Sequence, residues 1–121
     1  MDYKYDQLIK KFPSIFKDMK YISCGVGWYK LIEKLCQDIL KYDPQWEVRA
    51  SQVKEKFGGL RFYIYNGNDD VGRVVDKAEQ ESYKICEVCG SHLGVKQTKG
   101  WIITLCKKHY KEHQNEEKKR S

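Results

Sequence analysis

The chain lacks any apolar run approaching the length of a membrane span, so the sequence offers no candidate transmembrane helix. Nothing near its first residues reads as a secretion signal, and no segment repeats along the 121 residues. It also lacks the side-chain sets that common enzymes need. There is no Ser/His/Asp arrangement and no carboxylate pair framed by pocket-forming residues, so we expect no enzymatic activity. Gly25-Val26-Gly27, ahead of a helical pattern, is only a fragment of a phosphate loop, with no following Gly or Lys in register. Free amides at a helix start can cradle phosphate, but a tight turn into the helix is the simpler expectation. Proline is scarce, and its two occurrences, Pro13 and Pro44, each fall at a helix boundary.

Cysteine is present in an odd number, five, which argues against a disulfide framework and points to a reducing cytoplasm. Cys86-Glu87-Val88-Cys89-Gly90 is answered sixteen residues later by Cys106-Lys107-Lys108-His109. Two pairs of soft ligands, each with a two-residue spacer and separated by room for a hairpin, make structural zinc spacing. Gly90 suits the tight curl that such a knuckle makes. A redox Cys-x-x-Cys would open a helix after a strand in a βαβ pattern, and no such pattern is visible. We therefore expect Cys86, Cys89, Cys106 and His109 to hold one Zn2+, with His92 as a substitute ligand should His109 not serve. Four protein ligands close the coordination sphere, so this zinc would support structure and not catalysis. Cys24 and Cys36 lie outside the pattern, and Cys36 falls within an apolar helical stripe.

Hydrophobic periodicity outlines the remainder. Tyr5, Leu8, Ile9, Phe12, Ile15, Phe16 and Met19 recur at helical spacing across Pro13, predicting a helix to about Phe12 and a second short one opened by Pro13. Trp28, Leu31, Ile32, Leu35, Cys36, Ile39 and Leu40 form the clearest helical stripe, ended by Asp43-Pro44. From Trp46 to Tyr65 the period changes to two. Gly58-Gly59 between alternating runs predicts a hairpin in which Phe57 faces Leu60 and Lys56 faces Arg61. Asn66 to Asp70 reads as a turn and helix start, followed by a stripe of Val71, Val74, Val75, Ala78, Ser82 and Ile85. Trp101 to Leu105 reads as a strand and Lys107 to Glu117 as a helix, with a charged tail beyond expected to fray. The expected fold class is α+β. N-terminal helices pack on a β-hairpin sheet, followed by a helix and a treble-clef or ribbon-like zinc module. Residues 1–85 would form the helical and hairpin core and residues 86–121 the zinc module with its helix and tail.

Formal net charge is +6, and its distribution is uneven. In the hairpin, Lys54, Lys56 and Arg61 outnumber Glu55, whereas the helix after it is acidic. With the expected register one hairpin face carries Val53, Phe57, Leu60, Phe62 and Ile64, with Glu55 unexplained among them. The opposite face carries Lys54, Lys56, Arg61, Tyr63 and Tyr65. Like charges opposed on a strand pair call for a counter-charge, from within the chain or from an anionic partner. Tyrosines beside them could stack on a base. The competing account is that lysines solubilise an exposed edge.

Gly27-Trp28, the run Val53-Lys54-Glu55-Lys56-Phe57-Gly58-Gly59-Leu60-Arg61-Phe62-Tyr63, and Cys-x-x-Cys-Gly followed by Gly100-Trp101 and Cys106-x-x-His109 resemble small proteins of phages and prophages. That resemblance covers about residues 24–110 and transfers no activity to particular residues. It implies a phage accessory protein in the cytoplasm of a bacterial host, acting by binding, with countering of host defence as the expected role. Combined with the charge pattern, the expectation is an anionic partner, nucleotide signal or nucleic acid, met by Lys54, Lys56, Arg61 and Tyr63. The alternative is a protein–protein adaptor or inhibitor that docks a host protein directly.

Overall fold

A computed structural model describes residues 3–120; Met1, Asp2 and Ser121, at the ends of the two expected segments, lie outside them. The architecture is α+β: helix α1 (Tyr3–Lys11), a 3-10 turn (Val26–Trp28) leading into α2 (Tyr29–Lys41), then hairpin strands β1 (Arg49–Lys56) and β2 (Gly59–Tyr65). Helix α3 (Asp69–Ser82), a second small hairpin of β3 (Lys96–Gln97) and β4 (Thr104–Leu105), and α4 (Lys107–Arg120) complete it. Each hairpin is a separate two-stranded antiparallel sheet. No described helix is long and apolar enough to cross a membrane.

The apolar stripes read from the sequence become one core. Tyr5, Leu8, Phe12, Ile15 and Phe16 from the first segment meet Trp28, Ile32, Leu35 and Ile39 of α2, and Val71, Val75 and Ala78 of α3. Val53, Leu60 and Phe62 supply the inner face of the first hairpin. Burial of this apolar surface is the main force holding helices to hairpin, at roughly 25 cal/mol per Å² removed from water.

Several local expectations are corrected. No second helix follows Pro13; residues 12–18 form turns instead. Pro13 has no N–H to give, and the Ile15 carbonyl accepts from Ala50 N–H at 2.8 Å, so it serves the hairpin strand. Trp46 is not in the strand. It sits at φ 55° in a turn after α2, exposed, with its N–H bonded to the Asp43 carbonyl. Buried Asp43 holds that turn by accepting from Glu47 N–H and Val48 N–H, both at 3.0 Å. Trp101 likewise lies outside β4, in the connection between the two short strands. The charged tail is helical as far as Arg120. Glu116 to Arg120 continue α4, and His113 lies 3.1 Å from Glu117 one turn on.

The hairpin register also differs. Lys56 pairs with Gly59, Glu55 with Leu60, Lys54 with Arg61, Val53 with Phe62 and Gln52 with Tyr63, with a bulge at Ser51. The two loop residues are therefore Phe57 and Gly58, not Gly58 and Gly59, and both have positive φ, 54° and 81°. That is the signature of a type I′ turn. Tertiary contacts select it. Glu55 accepts from Gly58 N–H at 2.8 Å, and Thr104 of the second hairpin donates to the Gly58 carbonyl. Gly59 is needed in the strand because a Cβ there would lie 2.3 Å from the Tyr83 hydroxyl.

Both edges of this two-stranded sheet are covered. Ser23 makes a parallel bridge beside Lys54, receiving Glu55 N–H and donating to the Val53 carbonyl. On the other edge, Leu60 N–H donates to Ser82 Oγ at 2.9 Å and Phe62 N–H to the Glu79 carboxylate at 2.8 Å. Side chains of α3 thus stand in for a missing third strand, which removes the pairing hazard of a bare edge.

Candidate metal centre

After α3 the chain curls through Cys86-Glu87-Val88-Cys89-Gly90. Gly90 N–H returns to the Cys86 carbonyl at 2.8 Å, with Gly90 at φ 82°, a conformation that favours glycine. Glu87 N–H donates to the Thr104 carbonyl of β4, which sets the knuckle against the second hairpin. That hairpin delivers Cys106 to the start of α4, and one turn of helix places His109 beside it.

The four predicted ligands converge. Cys86, Cys89, Cys106 and His109 have their ligand atoms within 4.8 Å of one another, a group that could hold a metal ion. His109 Nδ1 lies 3.6 Å from Cys86 Sγ and 3.3 Å from Cys106 Sγ, and the sulfurs of Cys89 and Cys106 are 3.8 Å apart. All five cysteines are free, so no disulfide competes for this geometry. The His109 backbone N–H, at the start of α4, is the main influence holding the Cys106 thiol down to about 7, which favours the thiolate that metals bind. His109 Nε2 faces Glu112 at 4.0 Å, a carboxylate placed to orient the ring. His92 is not part of the group. It lines a surface depression beside the group, with Gln7, Tyr29, Lys30 and Cys89.

Gly25-Val26-Gly27 proves to be the seat of the knuckle. Gly27 N–H donates to the Glu87 carbonyl and Gly25 N–H to the Glu87 carboxylate, both at 2.8 Å. These amides are thereby occupied and cannot cradle a phosphate. A Cβ at Gly27 would fall 2.1 Å from the Cys86 carbonyl oxygen, and one at Gly25 2.4 Å from that of Glu87. The two glycines are required by close backbone approach rather than by a turn. Trp28 adds a second tie, its buried indole N–H donating to the Ile85 carbonyl at 2.9 Å. Beside them, burial raises the Glu87 carboxyl above its ordinary value, offset in part by the Gly25 amide. Sequence reasoning missed Glu87; its position between two ligands was the only available signal.

The basic set lies on the adjoining hairpin. Lys54, Lys56, Arg61 and Tyr63 share its outward face, Lys54 directly opposite Arg61 and Tyr63 opposite Gln52. Lys56 and Tyr63 are exposed; Lys54 and Arg61 are half-buried. Arg61 is positioned by α3, donating to the Tyr83 hydroxyl at 3.2 Å and to the Leu60 carbonyl at 3.0 Å. Glu55, unexplained in the sequence, caps the turn as described above. Asp69 and Asp70 lie in the first turn of α3, whose cap is Asn68, accepting from Val71 N–H; Asp70 pairs with Arg73.

No protein-family model, curated protein or solved structure matches the chain.

Proposed function

We propose that the chain is a non-enzymatic, zinc-stabilised binding protein that engages an anionic partner, a nucleotide signal or nucleic acid, through the outward face of the first hairpin. The observation that carries this reading is the trio Lys54, Lys56 and Arg61. Among the described residues none of them has a carboxylate within ion-pairing distance. Opposed like charges on a strand pair are unfavourable without a counter-ion. Edge protection does not account for them, because Ser23 and α3 already cover both edges. Tyr63, 42% exposed on the same face, supplies a ring beside the charges.

Zinc is the ion that best suits the Cys/His cluster. With bonds of about 2.3 Å to sulfur and about 2.0 Å to nitrogen, tetrahedral edges come to roughly 3.8 Å between sulfurs and 3.5 Å from sulfur to nitrogen. Three of the six separations, 3.8, 3.6 and 3.3 Å, lie close to these, and all six are within 4.8 Å. Knuckle, hairpin and helix start then form a module of treble-clef type whose ion is structural. The resemblance to phage proteins suggests the setting: an accessory protein that counters a host defence in the bacterial cytoplasm.

The test is a double variant, Lys54→Ala with Lys56→Ala, chosen because Arg61 also has a packing role. It should stay folded and lose binding to a labelled oligonucleotide or nucleotide. The slope of log affinity against log salt should flatten by roughly one to two, as expected when two phosphate contacts are removed. Unchanged affinity and slope would remove the basic face from consideration.

One observation favours an adaptor role. Leu31, Leu35, Val74, Ala78 and Ile85 line a groove of about 340 Å³ between α2 and α3. A protein partner seated there would bind with little salt dependence, and a Leu31→Glu variant would lose it.

A further inference from the structure

The tips of the two hairpins meet at one side of the molecule, and each displays an aromatic ring. Phe57 is 65% exposed and Trp101 82% exposed. Both line a groove of about 240 Å³ with Glu55, Lys56, Gly100 and Ile102. The two tips are held together: Thr104 donates to the Gly58 carbonyl, and a Cβ at Gly58 would lie 2.8 Å from Ile102 Cγ2. Phe57 carries two local disadvantages. Its φ of 54° is a conformation that bulky side chains rarely adopt and that asparagine or glycine would take readily. Its ring also lies in water, and neither it nor Trp101 has a ring partner among the described residues. The Lys56 ammonium sits 5.6 Å from the Phe57 ring centroid, so a cation stands at the mouth of the groove.

We propose that Phe57 and Trp101 form a notch that receives an unstacked base of single-stranded nucleic acid whose phosphates follow Lys54, Lys56 and Arg61. This rests on the basic-face reading above and narrows its partner. Charge complementarity supports that occupant, since Lys56 is shared between the cation row and the notch and Phe57 follows it directly. Aromatic rings contact any base through its π-face, so the notch would be tolerant of sequence.

The test uses the zinc-loaded full chain with three probes: labelled oligothymidylate, an abasic oligomer of equal length, and vesicles containing phosphatidylserine. Wild type should bind oligothymidylate roughly tenfold or more tighter than the abasic oligomer, the scale of one stacked base. Trp101→Ala and Phe57→Asn should each erase that difference, whereas Trp46→Phe should keep it. Phe57→Asn should melt no lower than wild type, so its loss of binding would not be a folding defect. Equal affinity for the two oligomers, lost in the Lys54→Ala/Lys56→Ala variant, would overturn the notch and leave the basic face standing. Binding of neither oligomer would overturn both for nucleic acid. Vesicle capture that depends on Trp101, without oligomer binding, would assign the notch to a membrane surface and overturn the proposal.

Discussion

Single residues set the tolerances of this molecule, and its glycines illustrate how different their reasons are. Gly27→Ala would drive a methyl group into the Cys86 carbonyl, so it should destabilise the fold by about 1–3 kcal/mol or more, measurable by denaturant titration. Gly72, inside α3 with nothing within 4 Å of its missing Cβ, should behave oppositely. Gly72→Ala should stabilise by about 0.5–1 kcal/mol through helix propensity alone. The two cysteines outside the metal cluster are chemically quiet. Burial pushes the Cys24 thiol up to about 12 and also raises that of Cys36. An acid whose folded value exceeds its ordinary 9.0 binds its proton more tightly in the native state. The resulting stabilisation is fully present below that pH and is lost as pH rises toward about 12. Native zinc-loaded protein should therefore show no fast thiol at pH 8. Chelation should expose three, Cys86, Cys89 and Cys106, and denaturant all five.

Among the elements, α1, α2 and α3 and their buried faces were legible because a period of 3.6 survives where one side meets a core, although the same period continued past Pro13 into turns. Val71, Val75, Ala78 and Ser82 are buried as that period requires. The Cys/His group that could hold a metal ion was legible because the spacing of Cys86, Cys89, Cys106 and His109 brings the four together. The hairpin turn was not. Two adjacent glycines predict a loop made of that pair, but Tyr83 occupies the space over Gly59, and Thr104 together with the local Glu55 fixes Gly58; Tyr83 and Thr104 lie outside the local pattern. Trp101 misled for a related reason. Its β-branched neighbours suggested a strand, whereas Thr98 ties the turn, donating to the Trp101 carbonyl and receiving Ile103 N–H. The edge devices of α3 were hidden as well. Ser82 reads as a small polar residue in an apolar stripe, yet it accepts the Leu60 N–H in a fully buried position. Ser82→Ala should leave that amide unsatisfied and cost about 1–3 kcal/mol. Amide exchange at Leu60 should accelerate relative to that at Val53, and equal protection would refute the role.

At the scale of the whole molecule, the metal cluster and the first hairpin are mechanically linked. Thr104, in the second hairpin just ahead of Cys106, also bonds the Gly58 turn, while Gln97 reaches the Tyr83 carbonyl. Removing the proposed ion should therefore loosen a turn almost thirty positions before Cys86. Hydrogen exchange at Gly58 should rise on chelation along with exchange at Cys86 and Gly90. Selective loss at the ligands alone would show that the two parts are independent. Structural zinc contributes roughly 10–16 kcal/mol of apparent binding energy in small modules, so the melting temperature should fall sharply as well.

The tie between Gly27, Trp28 and the segment from Ile85 to Glu87 also bears on the order in which the chain can finish folding. Residues made early at a ribosome wait for partners made some sixty positions later: among the described residues Gly27 N–H donates to the Glu87 carbonyl and the Trp28 indole to that of Ile85. A nascent chain halted before Cys106 would thus hold its first helices in a loose, protease-sensitive form. Release of the last ligand and capture of the ion would then close the molecule in a single late step.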